Sequence, residues 1–184
     1  MSLLKKNKPF FIFLLKFGVS YIVLSALYWL YLNQFNAEEH EPDGITYIVA
    51  EQAKDFAIML GEDASIVPHK REASYRFLIN GKGASRVVEG CNAVSVMILF
   101  TAFIIAFSST FKRTVLFIIA GIVVIYLLNI VRVALLSLGY YYYPQYREVL
   151  HDIIFPLFIY GVVFLLWIIW VQKFSGNAKR VKDN

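Results

Sequence analysis

A single cysteine, Cys91, in 184 residues excludes an intramolecular disulfide, so cysteine pairing says nothing about the compartment. Histidine is nearly as scarce. His40, His69 and His151 are scattered, and with one thiol among them they lack metal-ligand spacing. No pair of carboxylates and no His–carboxylate motif shares a helix face. There is no glycine-rich phosphate loop, no internal repeat and no low-complexity tract. Neither a metal nor any other cofactor is called for.

What the chain has in abundance is apolar surface. The hydrophobic set makes up 59% of the residues, and aromatics reach 17% with 16 Phe and 12 Tyr. Soluble domains sit nearer 45–50% apolar. One water-facing core of this size cannot hide so much, and a bilayer must take up the rest. The net charge of +5 does not point to nucleic acid, because the basic residues flank apolar runs and read as topology signals.

Four runs are candidates to span the membrane: 9–32, 93–111, 114–138 and 153–171. The first is too long for the apolar core of a signal peptide. Spanning ~30 Å of hydrocarbon takes about 20 residues at 1.5 Å each. Lys16 lies near the lysine-rich end of that run and can snorkel back to it. Tyr28, Trp29 and Tyr31 at its other end read as interfacial aromatics, and Trp167 and Trp170 close the fourth run. Only Phe111-Lys112-Arg113-Thr114 separates the second run from the third, a tight turn. Lys5, Lys6, Lys8, Lys112, Arg113, Lys173, Lys179, Arg180 and Lys182 fall on one side, against Arg147 in the short connection on the other. Both termini are therefore expected in the cytoplasm, with a tail over 172–184 and a loop over 33–90 outside. The expected fold is an all-α integral membrane protein, a single membrane domain over 1–184.

Two elements are legible in the outer loop. Ile45, Ile48, Val49, Ala53, Phe56, Ala57 and Leu60 recur at helical spacing, an amphipathic helix that lies on the membrane or packs on the rest of the loop. Gly61-Glu62-Asp63 ends it. Tyr75, Phe77 and Ile79 alternate with polar residues up to Asn80-Gly81, and Arg86-Val87-Val88 comes after. That is a hairpin over Tyr75–Val88. Beside a site it would seat an extended segment through Phe77 and Ile79, or serve as a lid.

Depth singles out three polar residues. Cys91 sits where the loop enters the second run. Arg132 lies six residues before the outer end of the third, about 9 Å along a helix. His151 sits where the last connection enters the fourth. A thiol, a guanidinium and an imidazole thus reach one level, which the charge rule did not require. Cys91 alone is more often a small buried apolar residue than a nucleophile, and His151 alone reads as a helix-entry polar residue. An arginine inside a membrane helix costs on the order of 2.5–3.5 kcal/mol and usually faces a bundle interior. Tyr126, Asn129 and Arg132 share one helix face, which favours a lined cavity over snorkelling. A thiolate is the nucleophilic form of cysteine, and a helix amino terminus or a nearby cation favours it. His151 can carry a proton from thiol to leaving amine. Arg132 can support the thiolate, hold an oxyanion or clamp a substrate carboxylate. Glu89 and Asp152 are adjacent acids able to orient Arg132 or His151.

Glu89-Gly90-Cys91 opening a membrane helix, Asn129-Ile130-Val131-Arg132 near the end of the next, and His151-Asp152 opening the last resemble the exosortases and archaeosortases, membrane-embedded cysteine transpeptidases. Within them the chain looks most like the short Bacteroidetes variety, XrtF. The motif-bearing part covers about 75–165. Larger members have about twice as many spans, and their cysteine is commonly followed by a small residue and Gly, where this chain has Asn92-Ala93. The resemblance implies a bacterial inner-membrane enzyme with Cys91, Arg132 and His151 facing outward. Its substrate would be an exported protein ending in a short motif, a membrane helix and a basic tail, handed after cleavage to an acceptor. Two other classes stay open: a non-catalytic membrane assembly partner, and another thiol enzyme such as an acyltransferase or intramembrane protease.

Overall fold

A computed structural model describes residues 7–35, 42–107 and 109–174. Expectations resting on Lys5, Lys6, His40, Lys179, Arg180 and Lys182, and on most of the tail 172–184, lie outside the described residues.

Helix α1 (Lys8–Leu32) buries none of its 25 residues. Phe10, Leu15, Ile22 and Leu30 are all exposed. A helix apolar all round and unburied needs an apolar solvent. Helices α4 (Phe111–Tyr142) and α5 (Pro144–Lys173) are also long and apolar enough to cross a membrane. Helix α3 (Val94–Ala106) has only 13 residues. That is about 20 Å, short of the ~30 Å hydrocarbon core. Three membrane-capable helices and one shorter apolar helix therefore stand where four spans were expected.

The boundaries moved for local reasons. A 3₁₀ turn at Glu89–Cys91 and a left-handed Ala93 hold the chain out of α-helix until Val94. The turn expected at 111–114 falls earlier. Thr114 Oγ1 donates to the Thr110 carbonyl at 3.1 Å and accepts from the Ser109 amide at 3.3 Å, so Phe111-Lys112-Arg113 form the first turn of α4. Leu138, read as its end, is followed by helix to Tyr142. Arg132 therefore lies ten residues from the helix end, about 15 Å rather than 9 Å.

The chain groups into two compact units. The first takes the described parts of Met1–Leu30, Ser95–Val124 and Val162–Asn184. Aromatic packing dominates it. Phe103 stacks on Trp167 at 4.3 Å, Phe13 meets Phe107 at 4.5 Å, and Phe117 meets Trp170 at 4.9 Å. Trp170 is fully buried and its Nε1–H donates to the Phe107 carbonyl at 3.0 Å. It is a packing residue. Gly121 is required by close approach, since a Cβ there would fall 2.2 Å from Phe100 Cζ.

The second unit, Tyr31–Val94 with Ile125–Gly161, holds the sheet. Helix α2 (Gly44–Met59) is capped by Asp43, whose Oδ1 accepts from the Ile45 and Thr46 amides. It ends in a Schellman motif: Gly61 donates to Ile58 and Glu62 to Ala57, with Gly61 at φ 95°. Its small-residue face, Val49, Ala50, Ala53 and Ala57, is fully buried against the sheet and α4, while Ile48, Ile58 and Met59 stay exposed. Strands β1 (Ala64–Pro68), β2 (Ser74–Ile79) and β3 (Lys82–Val88) form an antiparallel sheet in that order. Asn80 and Gly81 turn the expected hairpin with φ of 50° and 71°, as a two-residue loop with both centres left-handed requires. β1 was not anticipated. It returns antiparallel on β2 and ends at Pro68, which an edge strand tolerates. In the β2–β3 ladder Phe77 faces Ser85 but Leu78 faces Gly83, so Ala84 is the extra residue of a β-bulge.

Candidate active site

The site lies within the second unit. β3 runs directly into the Glu89–Cys91 turn, which leaves Cys91 half-buried. Asn92, 1% exposed, fixes the path of the chain into α3. Its Oδ1 accepts from the Val94 amide at 2.9 Å, capping that helix. Its Nδ2 donates to Thr46 Oγ1 at 3.2 Å, and the Thr46 hydroxyl donates to Asp43 Oδ2. Two helix caps are thus joined through one buried threonine, tying the cysteine turn to the start of α2. Ala93, also buried, has φ 62°. A left-handed backbone is the conformation that glycine adopts most readily, so alanine is held there at a cost.

From α4, Asn129 is fully buried and bridges two expected site residues. Its Nδ2 donates to the Cys91 carbonyl at 2.8 Å, and its Oδ1 accepts from Arg132 Nη1 at 3.2 Å. Arg132 Nε is buried with no hydrogen-bond partner. Tyr126, on the same face, donates to Gln52 Oε1 of α2 at 2.7 Å, so this stripe meets protein rather than lipid. Arg132, Leu136 and Tyr140 recur at four-residue spacing on one face of α4.

His151 and Asp152 lie in a π-helical segment, Leu150–Ile154, within α5. Pro156 has no amide hydrogen for the Asp152 carbonyl and crowds that turn, which accounts for the wider register. Such segments are uncommon and recur at functional sites. The His151 Nδ1 to Asp152 Oδ1 distance is 2.6 Å, which leaves Nε2 as the ring's other nitrogen.

Cys91 and His151 line one cavity of about 450 Å³. Leu136, Tyr140 and Arg147 complete its helical side, and Arg76 with much of β3 forms the other. Arg132 is not in the lining. It reaches the cysteine turn through Asn129. Glu89 is half-buried in the same turn as Cys91. Phe77 and Ile79, expected to touch substrate, are both fully buried in the core against α2. Strand alternation places them on the packed face, and the edge of β3 lines the cavity in their stead. Among the described residues no three His, Cys, Asp or Glu side chains gather as metal ligands.

Sequence reasoning passed over Arg147, Tyr140 and Arg76. Arg147 counts there only for topology, although its spacing of four from His151 puts both on one helix face. Its Nη2 donates to the Ala84 carbonyl at 2.9 Å, the carbonyl of the bulge residue, and its guanidinium lies 4.6 Å over the Tyr140 ring. Arg76 carried no local signal.

The family model for transmembrane exosortase (Exosortase_EpsH) matches residues 11–171. The chain belongs to the transmembrane exosortase family, whose members are generally cysteine-type transpeptidases of the membrane. No curated protein and no solved structure matches it.

Proposed function

We propose that the protein is a sortase-like cysteine transpeptidase of the short XrtF variety, working at the outer face of a bacterial inner membrane. Both termini are cytoplasmic in this reading, supported by the lysine and arginine asymmetry. Its substrate is an exported protein with a C-terminal motif, a membrane helix and a basic tail. The observation that carries the reading is that Cys91 and His151, 60 positions apart, line one cavity while Asn129 links Arg132 to the Cys91 carbonyl.

In the reaction Cys91 Sγ attacks the scissile carbonyl. Asp152 accepts from Nδ1–H of His151, which leaves Nε2 to take the thiol proton and return it to the leaving amine. The peptide C–N bond breaks and a thioester to Cys91 forms. An acceptor nucleophile then attacks the thioester, loses its proton to His151 and releases the thiol. Arg132, outside the cavity lining, favours the thiolate through its positive charge beside the cysteine turn, and Asn129 keeps it there.

The test is processing of a co-expressed exported protein with such a C-terminal signal. Cys91→Ala is expected to leave it full-length in the membrane while the variant itself inserts normally. Normal processing by Cys91→Ala would end the enzyme reading and leave the assembly partner.

A further inference from the structure

The transpeptidase reading leaves the opposite wall of the cavity without a task, and that wall is strongly basic. Arg76 of β2 and Arg86 of β3 line it, Arg147 of α5 lines the same cavity from its helical side, and no Asp or Glu lines the cavity. Arg76 and Arg86 are direct partners across the β2–β3 ladder. Like charges placed opposite one another in a sheet are destabilising. Arg86 is offset by an ion pair to Glu72. Among the described residues no carboxylate pairs with Arg76 or Arg147. Arg147 is nonetheless held in place, by the bulge carbonyl of Ala84 and the Tyr140 ring. That contact uses one of its five N–H donors. Arg76 lies close over Gly83, where an added Cβ would sit 3.1 Å from its Nη2. The glycine gives the guanidinium room to lie there.

We propose that Arg76 and Arg147 form an anion subsite that takes an acidic side chain of the peptide being cleaved. The proposal rests on the transpeptidase reading and names a specificity determinant for it. The cavity wall favours a peptide over a lipid headgroup. Gly83, Ala84, Ser85 and Arg86 line it consecutively, so the cavity runs along the strand edge rather than over one face. β3 is an edge strand, and an extended peptide can pair with its free main-chain groups. A carboxylate on that peptide meets guanidinium forks whose geometry matches it.

Because Cys91 is the only thiol in the chain, its alkylation reports on the cavity without any need for the natural substrate. The full-length protein in detergent, at low salt, is treated with bromoacetyl-glutamic acid α-amide and with the neutral bromoacetyl-glutamine α-amide. Labelling rates are read by mass spectrometry. The acidic probe is expected to label Cys91 about tenfold faster, the scale of one charge-assisted contact. That preference falls toward unity in Arg76→Gln and in Arg147→Gln. Arg147 also packs on Tyr140, so Arg76→Gln, at an exposed position, serves as the second variant. Gly83→Ala, which crowds Arg76 without changing charge, also lowers the preference. Equal labelling by both probes in the unaltered protein overturns the subsite and leaves Cys91 chemistry intact. Protection of Cys91 by glycerol phosphate, with no discrimination between the two probes, overturns it in favour of a phosphate-bearing lipid. Failure of either probe to label Cys91 withdraws the cavity as a reactive site, and the subsite with it.

Discussion

Asn129 is the most informative residue to perturb, because it makes one hydrogen bond to each of two site residues and has no exposed surface. Leucine has nearly its shape and neither polar atom. In Asn129→Leu the Cys91 carbonyl loses its 2.8 Å donor and Arg132 loses its acceptor at 3.2 Å. A neutral bond contributes about 1 kcal/mol and one to a charged group roughly 1.5–3 kcal/mol. Arg132 has little to fall back on, since its Nε is already buried without a partner. The expected cost is about 3 kcal/mol, or a fall in melting temperature on the order of 6–12 °C for a chain of this size. Asn129→Asp separates the two bonds. It keeps an acceptor for Arg132 and strengthens it with charge, yet sets an oxygen against the Cys91 carbonyl. Its stability should fall less, but the cysteine turn should still shift. A displacement of about 1 Å at a nucleophile costs on the order of 10²-fold in rate. Both variants are therefore expected to process substrate about a hundredfold more slowly, with only Asn129→Leu melting much earlier. Thermal unfolding in detergent and processing of a co-expressed substrate measure the two effects. Full activity in Asn129→Asp would refute the idea that this side chain positions Cys91.

The same geometry sets two further outcomes. Arg132→Lys keeps the charge but loses the planar fork that donates to Asn129, and activity is expected to fall about 10²-fold as the cysteine turn shifts; unchanged turnover would mean that its charge alone suffices. At position 93 the left-handed backbone costs an alanine roughly 1–2 kcal/mol, while the buried methyl returns about 0.8 kcal/mol and glycine's freer unfolded chain costs about 0.4–1 kcal/mol. Ala93→Gly should thus leave the melting temperature nearly unchanged, whereas Ala93→Val should lower it clearly; a harmless valine would show that the turn does not depend on this conformation.

Local features carried much of this protein's design into view from the chain alone. Sustained apolar runs identify α1, α4 and α5, because length and hydropathy are properties of a single segment. Helical spacing from Ile45 to Leu60 identifies α2, with Gly61 as its stop. Alternation around Phe77 with Asn80-Gly81 identifies the hairpin, because two consecutive left-handed residues need that dipeptide. Cys91, Arg132 and His151 stood out by chemistry and depth. The features that stayed hidden depend on partners distant in sequence. Ala64–Pro68 is a strand because β2 offers it an edge. Phe77 and Ile79 face inward because α2 covers that side of the sheet. The bulge at Ala84 frees a carbonyl that matters only because Arg147, 63 residues later, reaches it. The sequence by itself determined that three long apolar helices are present and which side chains carry reactive groups, since both depend on side-chain transfer energies and reactivity. Only the tertiary structure decided that Cys91 and His151 share a cavity, that Asn129 holds Arg132 behind the cysteine turn, and that arginines line the far wall. Those facts arise from which faces pack together, and no stretch of chain read alone contains them.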